Sequence, residues 1–290
     1  MICLSYLGTE VEISLKGAEL KSIRKAQQEY IWQADPEYWG ESAPWLFPVV
    51  CDTKGDKLVI DGSIYPMPRH GFIRERNFTS ERKTQNTVLL RYDSREEDKA
   101  FYPYSFSFMV EYVLKENELE VSCCIVNRSD GKMYYCVGWH PGFCCPAVKE
   151  LKFSDYRLVF EKTEDCILPT LVDSIRQIDR TKPNIRMQNA DIISLNYELF
   201  DRDVLVFDHI RSRAVSLEGP AGRWITVRFP GYDMLGVWTI KGKKAPYLCI
   251  EPWQGTCAYT DEENKLEYKA GVKCLNAGES YTHKASVVLY

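Results

Sequence analysis

Three polar residues stand where this chain could perform proton chemistry. Of its four histidines, His70 lies in PRHGFIRE and His140 in VGWHPGF, while Glu251 lies in YLCIEPWQG. Each is within two residues of a proline (Pro68, Pro141, Pro252) and of an aromatic (Phe72, Trp139, Trp253). An imidazole titrates near pH 6.5 when unperturbed, so it can give or take a proton at neutral pH. A carboxylate closing an apolar strand beside a tryptophan loses part of its hydration, which raises its pKa and makes it a better base. Each residue alone has an ordinary structural explanation. Their shared setting predicts one aromatic-lined cleft holding two histidines and a carboxylate. The chain carries seven Trp, eighteen Tyr and twelve Phe, most of them core residues. Trp45, Trp139 and Trp253 are the ones expected beside the cleft, where sugar rings could stack on them. His70, His140 and a carboxylate could in principle hold a metal. No HExxH, His-x-His or CxxC spacing supports one, so no metal or other cofactor is expected.

The elements that must position these groups are strands. KLVIDGSIYPM reads as two strands around an Asp61-Gly62 turn, a strong hairpin signal. NTVLLRYDS alternates, as do FSFMVEYVL and ELEVSCCIVN across a turn at Glu116-Asn117. RAVSLEGPAGRWITVRFPG turns between Gly219 and Gly222, and MLGVWTI, YLCIEPW and THKASVVLY complete the series. Helical periodicity is confined to short stretches around DPEYWGES and ISLNYELF. His140 precedes a proline, which disfavours helix and places it extended at a strand end. Turn residues recur about every ten positions, as in a large antiparallel sandwich or barrel. No linker, repeat or low-complexity tract divides the chain, so one all-β domain over residues 1–290 is expected.

The bulk properties narrow the partners. The net charge is -4, and a nucleic-acid binder would need a basic face. The N-terminal stretch lacks the pattern of a secretory signal, and no apolar run is long enough to span a membrane. A cytoplasmic protein is expected, with neither nucleic acid nor membrane as partner. Its eleven cysteines read as core residues and free thiols; the neighbours Cys123-Cys124 and Cys144-Cys145 should face opposite sides of their strands.

WLFPVV, MPRHGFIRE, GWHPGF and IEPWQG, in that order, resemble the aldose 1-epimerase (mutarotase) family, in particular its shorter bacterial branch. GAELKSI, YIWQADPEYWG and LNAGESY extend the resemblance over essentially the whole chain. It implies an antiparallel β-sandwich of the galactose mutarotase-like kind, with few short helices. It also implies metal-free exchange of α and β anomers of an aldose, the one small-molecule partner. By this resemblance His140 is the general acid, Glu251 the base, and His70 a residue holding the sugar near its ring oxygen. Arg74 is the basic residue beside the site, and Asp203 the aspartate binding sugar hydroxyls, with Asp208 as competitor. One departure stands out. Where the branch reads close to FPIVGRL, this chain has FPVVCDT, so Asp52 replaces an arginine.

In the expected mechanism, protonated His140 gives its proton to the ring oxygen and ionised Glu251 takes one from the C1 hydroxyl. The ring opens, the aldehyde turns, and the steps reverse. Three other readings compete. A hexose-6-phosphate 1-epimerase would need a basic pocket, for which Arg69, Arg74 and Arg76 are candidates and against which Asp52 argues. A non-catalytic carbohydrate-binding or regulatory protein would keep only the fold. A glycosidase would need two flanking carboxylates, such as Asp203 and Glu251, and would leave the histidines without a task. His209 and His283 read as ordinary surface or sheet residues. The particular sugar and the oligomeric state, a homodimer included, stay open.

Overall fold

A computed structural model describes residues 1–290, the side chains of Pro183 and Asn184 excepted. The alternating stretches form antiparallel strands in two principal sheets. The broad sheet has nine strands among the described residues, in the spatial order Gln177–Ser194, Arg157–Val172, Ala214–Gly219, Gly222–Arg228, Ser280–Leu289, Glu118–Asn127, Phe106–Leu114, Thr87–Asp93, Thr79–Lys83. Its central strands show why the period-two pattern was legible. Along Phe106–Leu114 the residues Phe106, Phe108, Val110, Tyr112 and Leu114 are buried, while Met109, Glu111 and Val113 between them are partly exposed. One face packs on the core and the other meets water.

The second sheet runs Leu205–Phe207, Met234–Trp238, Tyr247–Gln254, Val137–Trp139, Trp45–Leu46, and Gly142–Cys144 also pairs with Tyr247–Gln254. Every residue of Tyr247–Gln254 is buried, so this strand is covered on both faces. The main core gathers side chains of both sheets, among them Trp45, Phe47, Phe106, Phe108, Tyr112, Val237 and Ile250. The fold is all-β and antiparallel with few short helices, as the sequence implied.

Local signals translate directly. Lys57–Ile60 and Ser63–Pro66 pair around Asp61 and Gly62, both at positive φ (49° and 78°), the backbone that a two-residue hairpin demands and that the Asp-Gly pair tolerates. The expected helices shrink. ISLNYELF supplies one 3₁₀ turn, Tyr197–Phe200, which Asn196 caps by accepting the Leu199 N–H at 3.0 Å. DPEYWGES forms only a turn, closed by the Trp39 N–H on the Asp35 carbonyl at 2.9 Å; too few residues follow before the strand to extend it. The cysteines are free thiols, with Cys123 and Cys145 buried beside the more exposed Cys124 and Cys144. Among the described residues, no helix is long and apolar enough to cross a membrane.

Candidate active site

The site is a patch of three adjacent strands, and register builds it. Gly138 lies opposite Trp253 and Gly142 opposite Cys249. Continued through the break between those pairs, the same register sets His140 opposite Glu251. On the other side, Met234, Gly236 and Trp238 lie opposite Trp253, Glu251 and Cys249. Directly opposed residues of antiparallel strands point to one face. That face therefore carries Cys249, Glu251 and Trp253 in the middle row, with His140 and Trp238 beside them. The glycines make room. A Cβ on Gly236 would stand 2.4 Å from the Trp253 ring, and one on Gly138 would stand 2.8 Å from it. The indole lies across both glycines and donates its N–H to Glu251 Oε2 at 3.2 Å.

His140 Nε2 meets the same Glu251 oxygen at 3.1 Å. Both residues are buried, and His140 Nδ1 and Glu251 Oε1 have no hydrogen-bond partner among the described residues. Desolvation holds the His140 pKa down to about 3, with Arg69 and Arg74 adding to the depression. Desolvation also pushes Glu251 well above the carboxylate range, partly opposed by Arg69 and the Trp253 N–H. Both directions favour the neutral form of each group. This differs from the charged resting pair expected above. The physical reason is the dry setting, which penalises two separated charges. The two groups stand side by side, in direct contact.

His70 comes to the pair from a different segment. Its ring lies 5.5 Å from that of His140, edge to face. Its Nδ1 accepts the Cys51 N–H at 3.0 Å, which leaves the ring proton on Nε2 as a donor. Burial keeps this imidazole neutral by lowering its pKa well below the ordinary value. His70 and Gly71 take positive φ (65° and 72°), and a Cβ on Gly71 would sit 2.0 Å from the Phe47 carbonyl oxygen. The glycine after the histidine is thus required by a close backbone approach.

Of the arginines, Arg69 is the one whose charge bears most on Glu251 and His140. Arg74 stands behind it, pairing with Glu41 at 3.0 Å and donating to the Arg69 carbonyl at 3.1 Å. Asp52 is buried and joins Arg69 at 3.5 Å and Arg176 at 2.8 Å. Its acidity is therefore balanced by two guanidinium groups. Asp203, at positive φ (67°), keeps a buried Oδ1 without a partner among the described residues, and its charge is felt at Glu251 and Arg69. Asp208 is engaged elsewhere, accepting the Tyr259 hydroxyl at 2.6 Å.

The tryptophans need correction. Trp45 and Trp139 are fully buried in the main core, paired with each other across their strands and 6.0 Å apart as stacked rings. Trp139 adjoins His140, so strand alternation turns it to the opposite face. Neither can touch a ligand at the pair. Trp253 is on the right face, yet it too is buried, and its role is to hold Glu251. The aromatics that do adjoin His140 are Trp39, with rings 4.7 Å apart, and Trp238, at 5.6 Å, each partly exposed. Trp238 could have been found by pairing MLGVWTI against YLCIEPW and keeping the residues in register with Glu251. Trp39 lies in a turn with no periodic signal.

The chain matches the Aldose 1-epimerase family over residues 1–287. It is 33% identical over 270 residues to protein LacX (chromosomal) of Lactococcus lactis subsp. lactis, covering 90% of each chain. Its structure resembles that of a galactose mutarotase related enzyme from Lactobacillus acidophilus, with a TM-score of 0.92 and 30% identity, covering 100% of this chain and 97% of that one. A galactose mutarotase-like protein from Lactobacillus casei ATCC 334 shares the fold, with a TM-score of 0.91 at 24% identity and full coverage of both chains.

Proposed function

As the chain belongs to the aldose 1-epimerase family, we propose that it interconverts the α and β anomers of a free aldose in a single domain spanning residues 1–290. The observation that carries this reading is the contact of His140 Nε2 with Glu251 Oε2 at 3.1 Å, beside Glu251 Oε1 and Asp203 Oδ1, which have no partner among the described residues. Anomer exchange needs one proton delivered to the ring oxygen and another removed from the C1 hydroxyl, and both oxygens are bonded to one carbon. Adjacent acid and base groups suit that geometry. With the proton on His140, the pair is set to open the ring. Transfer to the ring oxygen and uptake from the hydroxyl leave neutral imidazole and protonated Glu251, which is the form that closes it. The two proton placements of the pair are thus the start and end of one half-reaction, and the reverse path uses the same two groups. His70 offers an Nε2–H to a sugar oxygen, Asp203 accepts from sugar hydroxyls, and Trp39 and Trp238 supply apolar faces for the ring.

A neutral sugar is favoured over a phosphorylated one because each candidate arginine already has a carboxylate: Arg69 with Asp52, Arg74 with Glu41, and Arg76 with Asp98 at 2.7 Å. Polarimetry or NMR exchange on freshly dissolved glucose, galactose and glucose 6-phosphate tests the reading. Faster exchange of a free sugar, reduced on the order of 10³-fold or more by Glu251→Gln, is expected. Acceleration that survives Glu251→Gln, or that occurs only with the phosphate ester, rejects it. The pH profile should be bell-shaped, since protonation of Glu251 removes the base and deprotonation of His140 removes the acid.

A further inference from the structure

Cys249 has no part in the exchange chemistry, yet it occupies the place next to Glu251 on the same strand face. One donor atom each from His140, Cys249 and Glu251 lies within 4.8 Å of the others, and all three residues are buried. The grid explains the cluster. Cys249 is two residues from Glu251 on one strand, and His140 lies opposite Glu251 on the next. Gly142, opposite Cys249, keeps the thiol close to its neighbours: a Cβ there would lie 3.4 Å from Sγ and 3.0 Å from the Trp39 ring. Imidazole, thiolate and carboxylate form a ligand set that zinc accepts in sites keeping a fourth position open.

We propose that His140, Cys249 and Glu251 form a binding site for a thiophilic divalent cation such as Zn²⁺, which occupies the acid–base pair and excludes the sugar. With these ligands the dication, the carboxylate and the thiolate sum to zero, so the metal-bound site carries no net charge in its dry setting. The nearby cations are already compensated, Arg69 by Asp52 and Arg74 by Glu41, and Asp203 adds a carboxylate whose charge reaches Glu251. The third ligand is thus Cys249, not the His70 of the combination weighed from sequence: His70 Nδ1 is committed to the Cys51 N–H.

Inhibition of exchange rests on the proposed epimerase reading; metal binding does not. The test therefore begins with Co²⁺, which reports its own ligands. Titration of the purified chain should produce a near-ultraviolet thiolate-to-cobalt charge-transfer band that saturates at one ion per chain and is abolished by excess Zn²⁺. The band should be missing in Cys249→Ala and Cys249→Ser, and Zn²⁺ affinity measured by chelator competition should fall at least tenfold in both. In exchange assays, Zn²⁺ should abolish the wild-type rate, a chelator should restore it, and each Cys249 variant should retain more of its own metal-free rate. Co²⁺ binding without a thiolate band, or Zn²⁺ affinity unchanged in both variants, overturns the site. A thiolate band in a chain without exchange activity would uphold the metal site and reject the enzyme reading.

Discussion

The protein buries two glutamates in two regions and uses them differently. Glu164, in the broad sheet, and Glu251, in the smaller sheet, are each 1% exposed. Glu164 accepts the Arg211 N–H at 3.0 Å, the Ser212 N–H at 2.8 Å and the Ser212 hydroxyl at 2.6 Å, so both of its oxygens are engaged. Glu251 receives the Trp253 N–H and His140 on one oxygen and nothing among the described residues on the other. The buried histidines repeat the contrast. His283 meets the Tyr135 hydroxyl at 3.1 Å and the Gly231 carbonyl at 2.9 Å, whereas His140 Nδ1 has no partner among the described residues. Burial alone therefore does not mark a reactive group. A saturated polar side chain ties segments together. One left partly unpartnered carries a cost of about 1–3 kcal/mol, which a bound ligand can offset.

The largest effect that could break this contrast is on turnover. His140→Asn should lower kcat on the order of 10²–10⁴-fold with little change in Tm, while His283→Asn should lower Tm and leave exchange per folded molecule near wild type. Equal losses of turnover in the two variants would erase the distinction. Next in size is stability. Glu164→Gln leaves a donor-bearing amide facing donors and should cost about 1–3 kcal/mol in urea unfolding, without altering kcat/KM. A drop in kcat/KM with an unchanged urea midpoint would assign Glu164 to the chemistry instead.

The smallest effect is in the pH dependence of folding. Burial holds His283 down to about 4 and His140 down to about 3, against an ordinary value of 6.5. Below pH 6.5 the unfolded chain therefore binds protons that the folded chain refuses. The stability contributed by the two imidazoles is fully present above that pH and is lost as pH falls toward those depressed values. Glu251 acts with the opposite sign: its pKa is raised from 4.5, so its contribution is present below 4.5 and fades as pH rises through the raised value. Urea midpoints at pH 7 and pH 5 should show an acid loss in the wild type that is smaller in His283→Asn. An identical pH slope in the two proteins would mean that His283 is not held neutral by the fold.

Much of this was readable beforehand because strands write a period of two into the chain. The alternation in FSFMVEYVLKENELEVSCCIV and the Asp61-Gly62 turn are local, and their strands form where the pattern puts them. The proline after His140 likewise marked an extended strand end, whereas Glu251, expected to close its strand, lies within Tyr247–Gln254, which runs on through Pro252. The tryptophans were misread for a related reason. Trp139 was assigned by closeness to His140, although neighbours on a strand face opposite ways. Arg69 and Arg74 are both basic and lie five residues apart; nothing in PRHGFIRE says which one faces the pair and which one turns to Glu41.

By itself, then, the order of residues determined the all-β class, the hairpins and the identity of the histidines and glutamate worth following, since backbone preference and alternation act between near neighbours. Only the tertiary structure decided that His140 and Glu251 meet in a dry setting, that Cys249 and Trp39 adjoin them, and that Asp52 is neutralised by Arg176 from a distant hairpin. Those outcomes depend on cross-strand register and on how much water is excluded, which are properties of segments far apart in sequence brought to one place.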